Sequence, residues 1–374
     1  MDQLIGAAQA EDRFGYEEVA YLLIAGKLPT RAELDDFRAR VDARKQLPEG
    51  YLGLFPRATY SHSIMNVLQR ATLLLYAFDP NPDDTSPTHE IDVALSLLGR
   101  WPRTAAVAHA AHVAEQNDER LLVPPVREGY SMAETVLDVL RSDEGFTHEE
   151  AMLLDVMLIL HAEHGGGNNS TFTTRVVTSS GTDTYSAMAA ALCSLKGPRH
   201  GGANLMVMQM MQNIRENLHD TEDDEELEAY LKKLLHGEAF DRKGLIYGMG
   251  HAVYSLSDPR EVVFKGYVEQ LAHEKGRDKD LALYNKIEHM APQLIAEERK
   301  IFKGVSPNVD FYSGFVYEML GIPMELYTPL FAVARVMGWS AHRIEELLSA
   351  NKIIRPAYKS LGGTHEYIRR NERE

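Results

Sequence analysis

Helix signals dominate this sequence. Two capping boxes, Ser131 with Glu134 and Thr147 with Glu150, each precede an apolar run at helical spacing. The alanine-rich segment from Asp183 to Leu195 follows the same spacing and stops at a Gly-Pro pair. The apolar–polar alternation of a half-buried strand is nearly absent. The sequence therefore predicts an all-α fold.

Apolar spacing, caps and helix-ending residues predict further helices along the whole chain. They cover residues 17–24, 61–78, 151–160, 221–235, 281–302, 312–320 and 330–348, with two more starting near Gly201 and at Asp258-Pro259. No Gly/Ser-rich linker separates independent domains. Because composition changes within the chain, we expect a smaller helical domain, 201–320, inserted into a larger one formed by 1–200 and 321–374.

Composition excludes several functional classes. The chain has 374 residues, a formal net charge of −16 and 44% hydrophobic residues, which predicts a folded protein with no non-specific affinity for nucleic acid or anionic membranes. Cys193 is the only cysteine, so a disulfide scaffold is excluded. No apolar stretch is long enough to span a membrane and no secretory signal opens the chain. We expect a cytoplasmic enzyme.

Two glycine-rich loops carry histidines at helix ends. The first is His161-Ala-Glu-His-Gly-Gly-Gly-Asn-Asn-Ser170, where the glycines would let the backbone approach a ligand. The second is Gly197-Pro-Arg-His-Gly-Gly-Ala-Asn204, which places His200 just before a helix. The positive end of that helix would disfavour the protonated imidazole and favour a neutral hydrogen-bond donor. An ordinary capped helix end explains the first loop equally well.

Two further loops and two arginines complete the candidate set. Gly248-Met-Gly-His-Ala-Val-Tyr254 is followed by Asp258-Pro-Arg260, and Pro307-Asn-Val-Asp310 opens a helix. Taken alone, Asp310 is explained as a helix cap. Arg335 and Arg355 stand in mostly apolar surroundings and need partners, which a substrate carboxylate or a structural Asp or Glu would supply.

Together these loops resemble the citrate synthase family, in order and in spacing, from about Gly15 to Pro356. The resemblance implies a nearly all-helical homodimer or higher even oligomer, with an active site between a large and a small domain. It implies condensation of acetyl-CoA with oxaloacetate, and hydrolysis of the thioester to citrate and CoA. No permanently bound cofactor is implied, because acyl-CoA enters as a co-substrate.

The resemblance also implies residue roles. Asp310 matches the base that removes a proton from the acetyl methyl group. His200 matches the neutral histidine that hydrogen-bonds the thioester oxygen, and His251 matches the histidine that polarises the oxaloacetate ketone. The remaining matches are His164, Arg260 and Arg335 as oxaloacetate ligands, Phe331 beside the substrate, Arg355 reaching in from the partner subunit, and Lys303 contacting CoA.

Two departures from the family pattern bear on CoA binding. Members carry a longer N-terminal stretch, with a basic residue near the CoA phosphates, where this chain has the shortened segment Met1 to Asp12. Ser255 stands where some relatives have an arginine. We expect both differences to affect acyl-CoA affinity.

Three alternatives stay open. Propionyl-CoA as the co-substrate would make the protein a 2-methylcitrate synthase, because one methyl group changes the binding energy by only ~1–3 kcal/mol. A metal-dependent hydrolase could use His161, His164, His200, His251 and Asp310, although His-Ala-Glu-His lacks the spacing of a zinc-binding helix. A truncated, non-catalytic relative is the third alternative.

Overall fold

The computed structural model describes residues 2–54, 63–117, 125–141, 145–198, 200–250, 259–300, 305–349, 352–359, 361–363 and 365–373. These residues form fifteen α-helices and no β-strand, and their one isolated bridge pairs Met249 with Pro307. The helices are α1 (Asp2–Ala10), α2 (Tyr16–Ala25), α3 (Arg31–Asp42), α4 (Ile64–Leu75), α5 (Pro87–Asn117), α6 (Met132–Leu140), α7 (His148–Ala162), α8 (Asn169–Thr178), α9 (Thr184–Leu195), α10 (Ala203–Asn217), α11 (Asp224–Leu235), α12 (Pro259–Glu274), α13 (Asp278–Arg299), α14 (Val309–Met319) and α15 (Tyr327–Ser349). The predicted all-α fold is confirmed. None of the described helices is long and apolar enough to span a membrane.

Helix α15 lies at the centre of the larger group of helices. It packs against α2, α5, α7, α8 and α9, and most of its side chains are buried. Two of its arginines, Arg335 and Arg343, are only 1% and 0% exposed. Arg343 donates to both carboxylate oxygens of the buried Glu90 on α5, at 2.8 and 2.9 Å. This ion pair links α15 to α5 inside the core.

The helices α10 to α14 pack mainly on one another. Helix α14 contacts α10 and α12, and α13 contacts α11 and α12. Contacts of this group with the rest include that of α12 with α7, and a short 3-10 turn, Met324–Leu326, leads from α14 to α15. The start of α15 also meets the segment before α10, because Oγ1 of Thr328 donates to the carbonyl oxygen of Gly201 at 3.0 Å.

Several helix predictions need correction. Helix α5, with 31 residues, was not predicted because Pro102 lies inside it and its buried residues lie on more than one face, which hides the helical period. Helices α1, α3 and α8 were also not predicted. The sequence predicts Thr221 and Asp224 as the caps of the helix 221–235, but the cap of α11 is Asp223, since its carboxylate accepts the backbone N–H groups of Glu225 and Glu226. Both predicted capping boxes, at Ser131 and Thr147, are present.

Candidate active site

The first glycine-rich loop connects α7 to α8. Helix α7 ends at Ala162, and Glu163 already has extended backbone angles. Asn168 caps α8, because its side-chain oxygen accepts the backbone N–H of Thr171 at 3.1 Å. Ser170 therefore stands in the first turn of α8, where backbone N–H groups lack partners within the helix.

His200 uses one of these N–H groups. The backbone N–H of Ser170 donates to Nε2 of His200 at 3.2 Å, and Oγ of Ser170 lies 2.8 Å from the same nitrogen. A ring nitrogen that accepts an N–H carries no proton, so the proton of this imidazole is on Nδ1. Burial, and then the charge of Arg335, lower the pKa of His200 to about 4. The ring is therefore neutral at physiological pH.

Arg335 lies against the end of α7. Its Nε donates to the carbonyl oxygen of His161, and its guanidinium carbon is 4.6 Å from the centre of the Phe331 ring. The His161 ring also contacts Phe331, with 4.5 Å between the two ring centroids. Nδ1 of His161 donates to the carbonyl oxygen of Met157 at 2.9 Å. Arg335 is thus fixed beside the loop that carries His164.

Asp310 is not the cap of α14. Asn308 takes that role, because its side-chain oxygen accepts the backbone N–H of Asp310 at 3.0 Å. The interpretation of Asp310 as a simple helix cap is therefore wrong. Its carboxylate stands at the second position of the helix, where the positive end of the dipole stabilises its ionised form.

The segment before His251 is bonded to the segment before Asp310. Gly250 donates to the carbonyl of Ser306 at 2.8 Å, and Asn308 donates to the carbonyl of Gly248 at 2.9 Å. The side-chain amide of Asn308 also donates to the carbonyl of Gly250, at 3.0 Å. Two motifs that are far apart in sequence therefore meet here.

Only glycine fits at position 248. Its φ is +82°, and a Cβ there would lie 2.8 Å from the Phe311 ring and 2.9 Å from Val207. Val207 is in the first turns of α10 and Phe311 is in the first turn of α14. The helix starts that follow His200 and carry Asp310 therefore pack together around this loop.

His251, Lys303 and the side chain of Arg260 lie outside the described residues. The other candidates are described: His164 follows α7, His200 precedes α10, Asp310 is in the first turn of α14, and Phe331 and Arg335 are in the N-terminal half of α15.

Arg355 is exposed and lies apart from this group. The preceding residue, Ile354, donates its backbone N–H to Oγ of Ser179, just past the C-terminal end of α8. Ser170, which contacts His200, is at the other end of the same helix, about 14 Å away at the helical rise of ~1.5 Å per residue. The fold does not bring the Arg355 backbone into its own chain's site.

Three polar residues of this region had no predicted role. Ser170 binds His200, and Glu163 accepts a hydrogen bond from Nε2 of His342 at 3.1 Å. Ser170 and Glu163 are within the first loop motif, but nothing in the motif indicates their partners. His342 follows Arg335 by seven positions, which is two helical turns. This spacing places both residues on one face of the helix, and it is the sequence signal that could have indicated His342.

Within the described part of the chain, no three His, Cys, Asp or Glu side chains are grouped so that they could hold a metal ion. Nδ1 of His161 and Nε2 of His200 are both engaged in hydrogen bonds to the protein. These two nitrogens are therefore already occupied by hydrogen bonds and do not face a metal ion.

Comparisons with known proteins agree with one another. Residues 2–357 match the protein family described as "Citrate synthase, C-terminal domain". A citrate synthase from Deinococcus radiodurans is 35% identical over 94% of this chain and 86% of its own length. A 2-methylcitrate synthase from Corynebacterium glutamicum is 34% identical over 91% of this chain and 83% of its own.

Solved structures give the same result. A citrate synthase from Thermoplasma acidophilum, in a ternary complex with carboxymethyl coenzyme A and oxaloacetate, superposes with a TM-score of 0.79 at 28% identity, covering 99% of this chain and 91% of that one. A citrate synthase from Thermotoga maritima superposes with a TM-score of 0.73 at 30% identity, covering 96% and 88%.

Proposed function

The chain belongs to the citrate synthase family, and from this premise we propose how its residues divide the work. The reaction condenses acetyl-CoA with oxaloacetate and hydrolyses the resulting thioester, giving citrate and CoA. It needs no permanently bound cofactor, because acetyl-CoA is itself a substrate.

The contact between Ser170 and His200 is the observation that carries the proposal. Because Nε2 of His200 accepts the Ser170 N–H, the remaining proton is on Nδ1 of a neutral ring. A neutral imidazole with a free N–H can donate to the thioester oxygen as the enol(ate) forms. The low pKa of His200 prevents the ring from becoming a cation that would instead give up its proton.

Asp310 is the proposed base. The methyl group of acetyl-CoA is a weak carbon acid, so proton removal needs a carboxylate next to a group that stabilises the product. Asn308 caps α14, so the Asp310 carboxylate is not needed for that role. Helices α10 and α14 start side by side, and this arrangement supports joint action of His200 and Asp310 on one acetyl group.

Oxaloacetate has two carboxylates, and we assign it a set of cationic and imidazole ligands. Arg335 suits one carboxylate, because the guanidinium forks onto two oxygens and Phe331 stacks on its face. The proposed set is His164, His251, Arg260 and Arg335, with Phe331 alongside and Arg355 contributed by the partner subunit. Lys303 is proposed to contact CoA.

The proposed division into a 201–320 domain and a 1–200 plus 321–374 domain gives these ligands a mechanical role. Arg260, His251 and Asp310 would lie on the smaller domain, and His164 and Arg335 on the larger. Binding of the dianion between them would draw the domains together and exclude water before acetyl-CoA reacts.

A homodimer is part of the proposal. The C-terminal segment is largely exposed, including Tyr358 at 90% and Leu361 at 97%, which supports its packing on a second copy of the chain. Arg355 lies in the same segment, so it could complete the partner's site. The cytoplasmic location expected from the sequence stays a prediction.

The test is oxaloacetate-dependent release of free CoA, measured in parallel with acetyl-CoA and propionyl-CoA. The proposal expects the higher kcat/KM with acetyl-CoA. A preference for propionyl-CoA would make the protein a 2-methylcitrate synthase, as in the relative from Corynebacterium glutamicum. Activity lost in excess chelator and restored by zinc would favour the hydrolase alternative, and no release with either thioester would favour a non-catalytic relative.

A further inference from the structure

A chain of hydrogen bonds runs from α8 through α15 to the first glycine-rich loop. Nη1 of Arg175 donates to Nδ1 of His342 at 2.8 Å, and the other ring nitrogen, Nε2, lies 3.1 Å from Oε1 of Glu163. Arginine can only donate, so Nδ1 is an acceptor and Nε2 carries the proton. The imidazole is therefore neutral and donates to the Glu163 carboxylate.

Glu163 is held on several sides. Its Oε1 also accepts the backbone N–H of Gly165, which closes the loop around His164. Its Oε2 is buried and accepts no hydrogen bond. That oxygen lies against Gly338 of α15, where a Cβ would stand 2.4 Å from Oε2 and 2.4 Å from the carbonyl oxygen of Ala162. Glycine at 338 therefore permits the close approach of α7 to α15.

Glu163 and Arg335 influence each other. Gly338 and His342 follow Arg335 by three and seven positions on α15. The three residues therefore lie on one face of the helix, below Glu163. Burial acts to raise the pKa of Glu163, but the hydrogen bond from His342 and the charge of that imidazole when it is protonated, followed by smaller effects of the Arg335 charge and the Gly165 N–H, outweigh burial and lower that pKa. Glu163 is thus an ionised carboxylate facing the buried arginine of the site.

We propose that Glu163 is a positioning residue for the oxaloacetate site, and that His342 and Arg175 hold it in place. This inference rests on the proposed function, because it takes Arg335 and His164 as oxaloacetate ligands. Glu163 orients Arg335 by charge and fixes the backbone around His164 through Gly165. His342 sets the direction of the carboxylate, and Arg175 sets the tautomer of His342.

The proposed role predicts which kinetic constant changes. Arg335 and His164 would bind oxaloacetate before the chemical step, whereas proton removal is assigned to Asp310 and His200. Loss of an interaction that holds the substrate equally well in the ground state and the transition state raises KM and leaves kcat unchanged. Loss of the positioning chain should therefore raise the KM for oxaloacetate much more than it lowers kcat.

Two substitutions of His342 separate positioning from simple packing. His342→Leu fills a similar space but removes both hydrogen bonds, and we expect the KM for oxaloacetate to rise about tenfold or more. His342→Gln can accept from Arg175 through its oxygen and donate to Glu163 through its amide, so the KM should return to within about threefold of the wild-type value.

Glu345→Gln is the matched control. Glu345 also binds Arg175, at 2.7 Å, and lies on the same helix as His342, but it is 62% exposed and does not contact Glu163. The KM for oxaloacetate should not change in this variant. Arg175 keeps its ion pair with Glu346 at 3.3 Å in this variant, so the contact between His342 and Glu163 should persist. An increase as large as that of His342→Leu would overturn the proposal, because the KM would then change without loss of that contact.

Glu163→Gln supplies a second test if His342→Leu fails to fold. The glutamine oxygen can still accept from Gly165 and His342, so this variant removes mainly the charge that faces Arg335. The proposal expects a higher KM for oxaloacetate and a weaker affinity in calorimetric titration with oxaloacetate alone. A folded Glu163→Gln variant with the wild-type KM and the wild-type affinity for oxaloacetate would overturn the proposal.

The two proposals fail in different ways. Wild-type protein that releases no CoA would refute the proposed function, while calorimetry with oxaloacetate still tests the positioning chain. Wild-type protein that is active, together with a folded His342→Leu variant whose KM for oxaloacetate is unchanged, would refute only the positioning role.

Discussion

The backbone N–H of Ser170 and Nε2 of His200 are joined by a hydrogen bond of 3.2 Å. Nε1 of Trp339 donates to Oγ of the same serine at 3.2 Å, so α15 also holds this contact. The first turn of α8 thus satisfies one of its free N–H groups with a histidine instead of a cap or water. A helix start determines which nitrogen of His200 carries the proton.

The first prediction concerns pH and stability. The pKa of His200 is about 4 in the folded protein and ~6.5 in an unfolded chain, so the folded state favours the neutral ring. This contribution to stability is fully present above pH ~6.5 and is lost as the pH falls toward 4. The Tm should therefore fall between pH 7 and pH 5, and less so in His200→Gln. Equal decreases in the two proteins would contradict the prediction.

The second prediction concerns the base. Asp310→Asn should keep the fold, because the cap of α14 is Asn308, and should retain most of the oxaloacetate affinity. The rate of CoA release should drop by about 10²–10⁴-fold, the usual contribution of a general base. Circular dichroism checks the fold and a CoA-release assay gives the rate. Turnover near the wild-type value would remove Asp310 from the mechanism.

The sequence was sufficient where helices carry local signals. The capping box at Thr147 is present, with Glu150 bonded as predicted. Asp310 shows the limit of such signals: Asp and Asn are both good caps, and only the observed backbone shows that Asn308 takes the role. Helix α5 was missed because a helix buried on several sides has no apolar stripe.

The site was only partly predictable for a different reason. The glycine-rich loops indicated where His200 and His164 would lie, because their composition is itself unusual. The hydrogen-bond partners were not predictable, since Ser170 and His200 are 30 positions apart and Glu163 and His342 are 179 apart. Such pairs depend on how α8, α10 and α15 pack, and no local pattern records that packing.

The third prediction concerns the buried ion pair of the core. Glu90→Gln would leave the fully buried Arg343 without a charged partner, and breaking such a pair typically costs ~3–5 kcal/mol. Urea unfolding followed by circular dichroism measures the free energy of unfolding. Asp92→Asn on the same helix is the control: Asp92 is 41% exposed, and its pairs with Arg40 and Arg44 should be worth only ~0–1 kcal/mol each. If Glu90→Gln and Asp92→Asn lower the free energy of unfolding by similar amounts, the assignment of Glu90 and Arg343 as a stabilising core ion pair is wrong.

The fourth prediction concerns the order of binding. If oxaloacetate draws the two proposed domains together, saturating oxaloacetate should raise the affinity for acetyl-CoA, and the converse must hold by linkage. Calorimetric titrations of acetyl-CoA into Asp310→Asn, with and without oxaloacetate, measure this coupling without turnover. Identical affinities in the two titrations would argue against domain closure.

The last prediction concerns sites shared between subunits. Ile354, next to Arg355, is anchored at the end of α8 opposite to Ser170, so the Arg355 backbone starts about one helix length from the Ser170–His200 contact. If Arg355 instead completes the partner's site, Arg355→Ala and Asp310→Asn should each be nearly inactive as homodimers. A mixed dimer then contains one site in which both residues are native. Co-expression of two differently tagged chains and purification through both tags isolates that dimer, whose activity should approach half the wild-type value per dimer. If the mixed dimer is no more active than either parent, Arg355 acts within its own subunit or only in the structure.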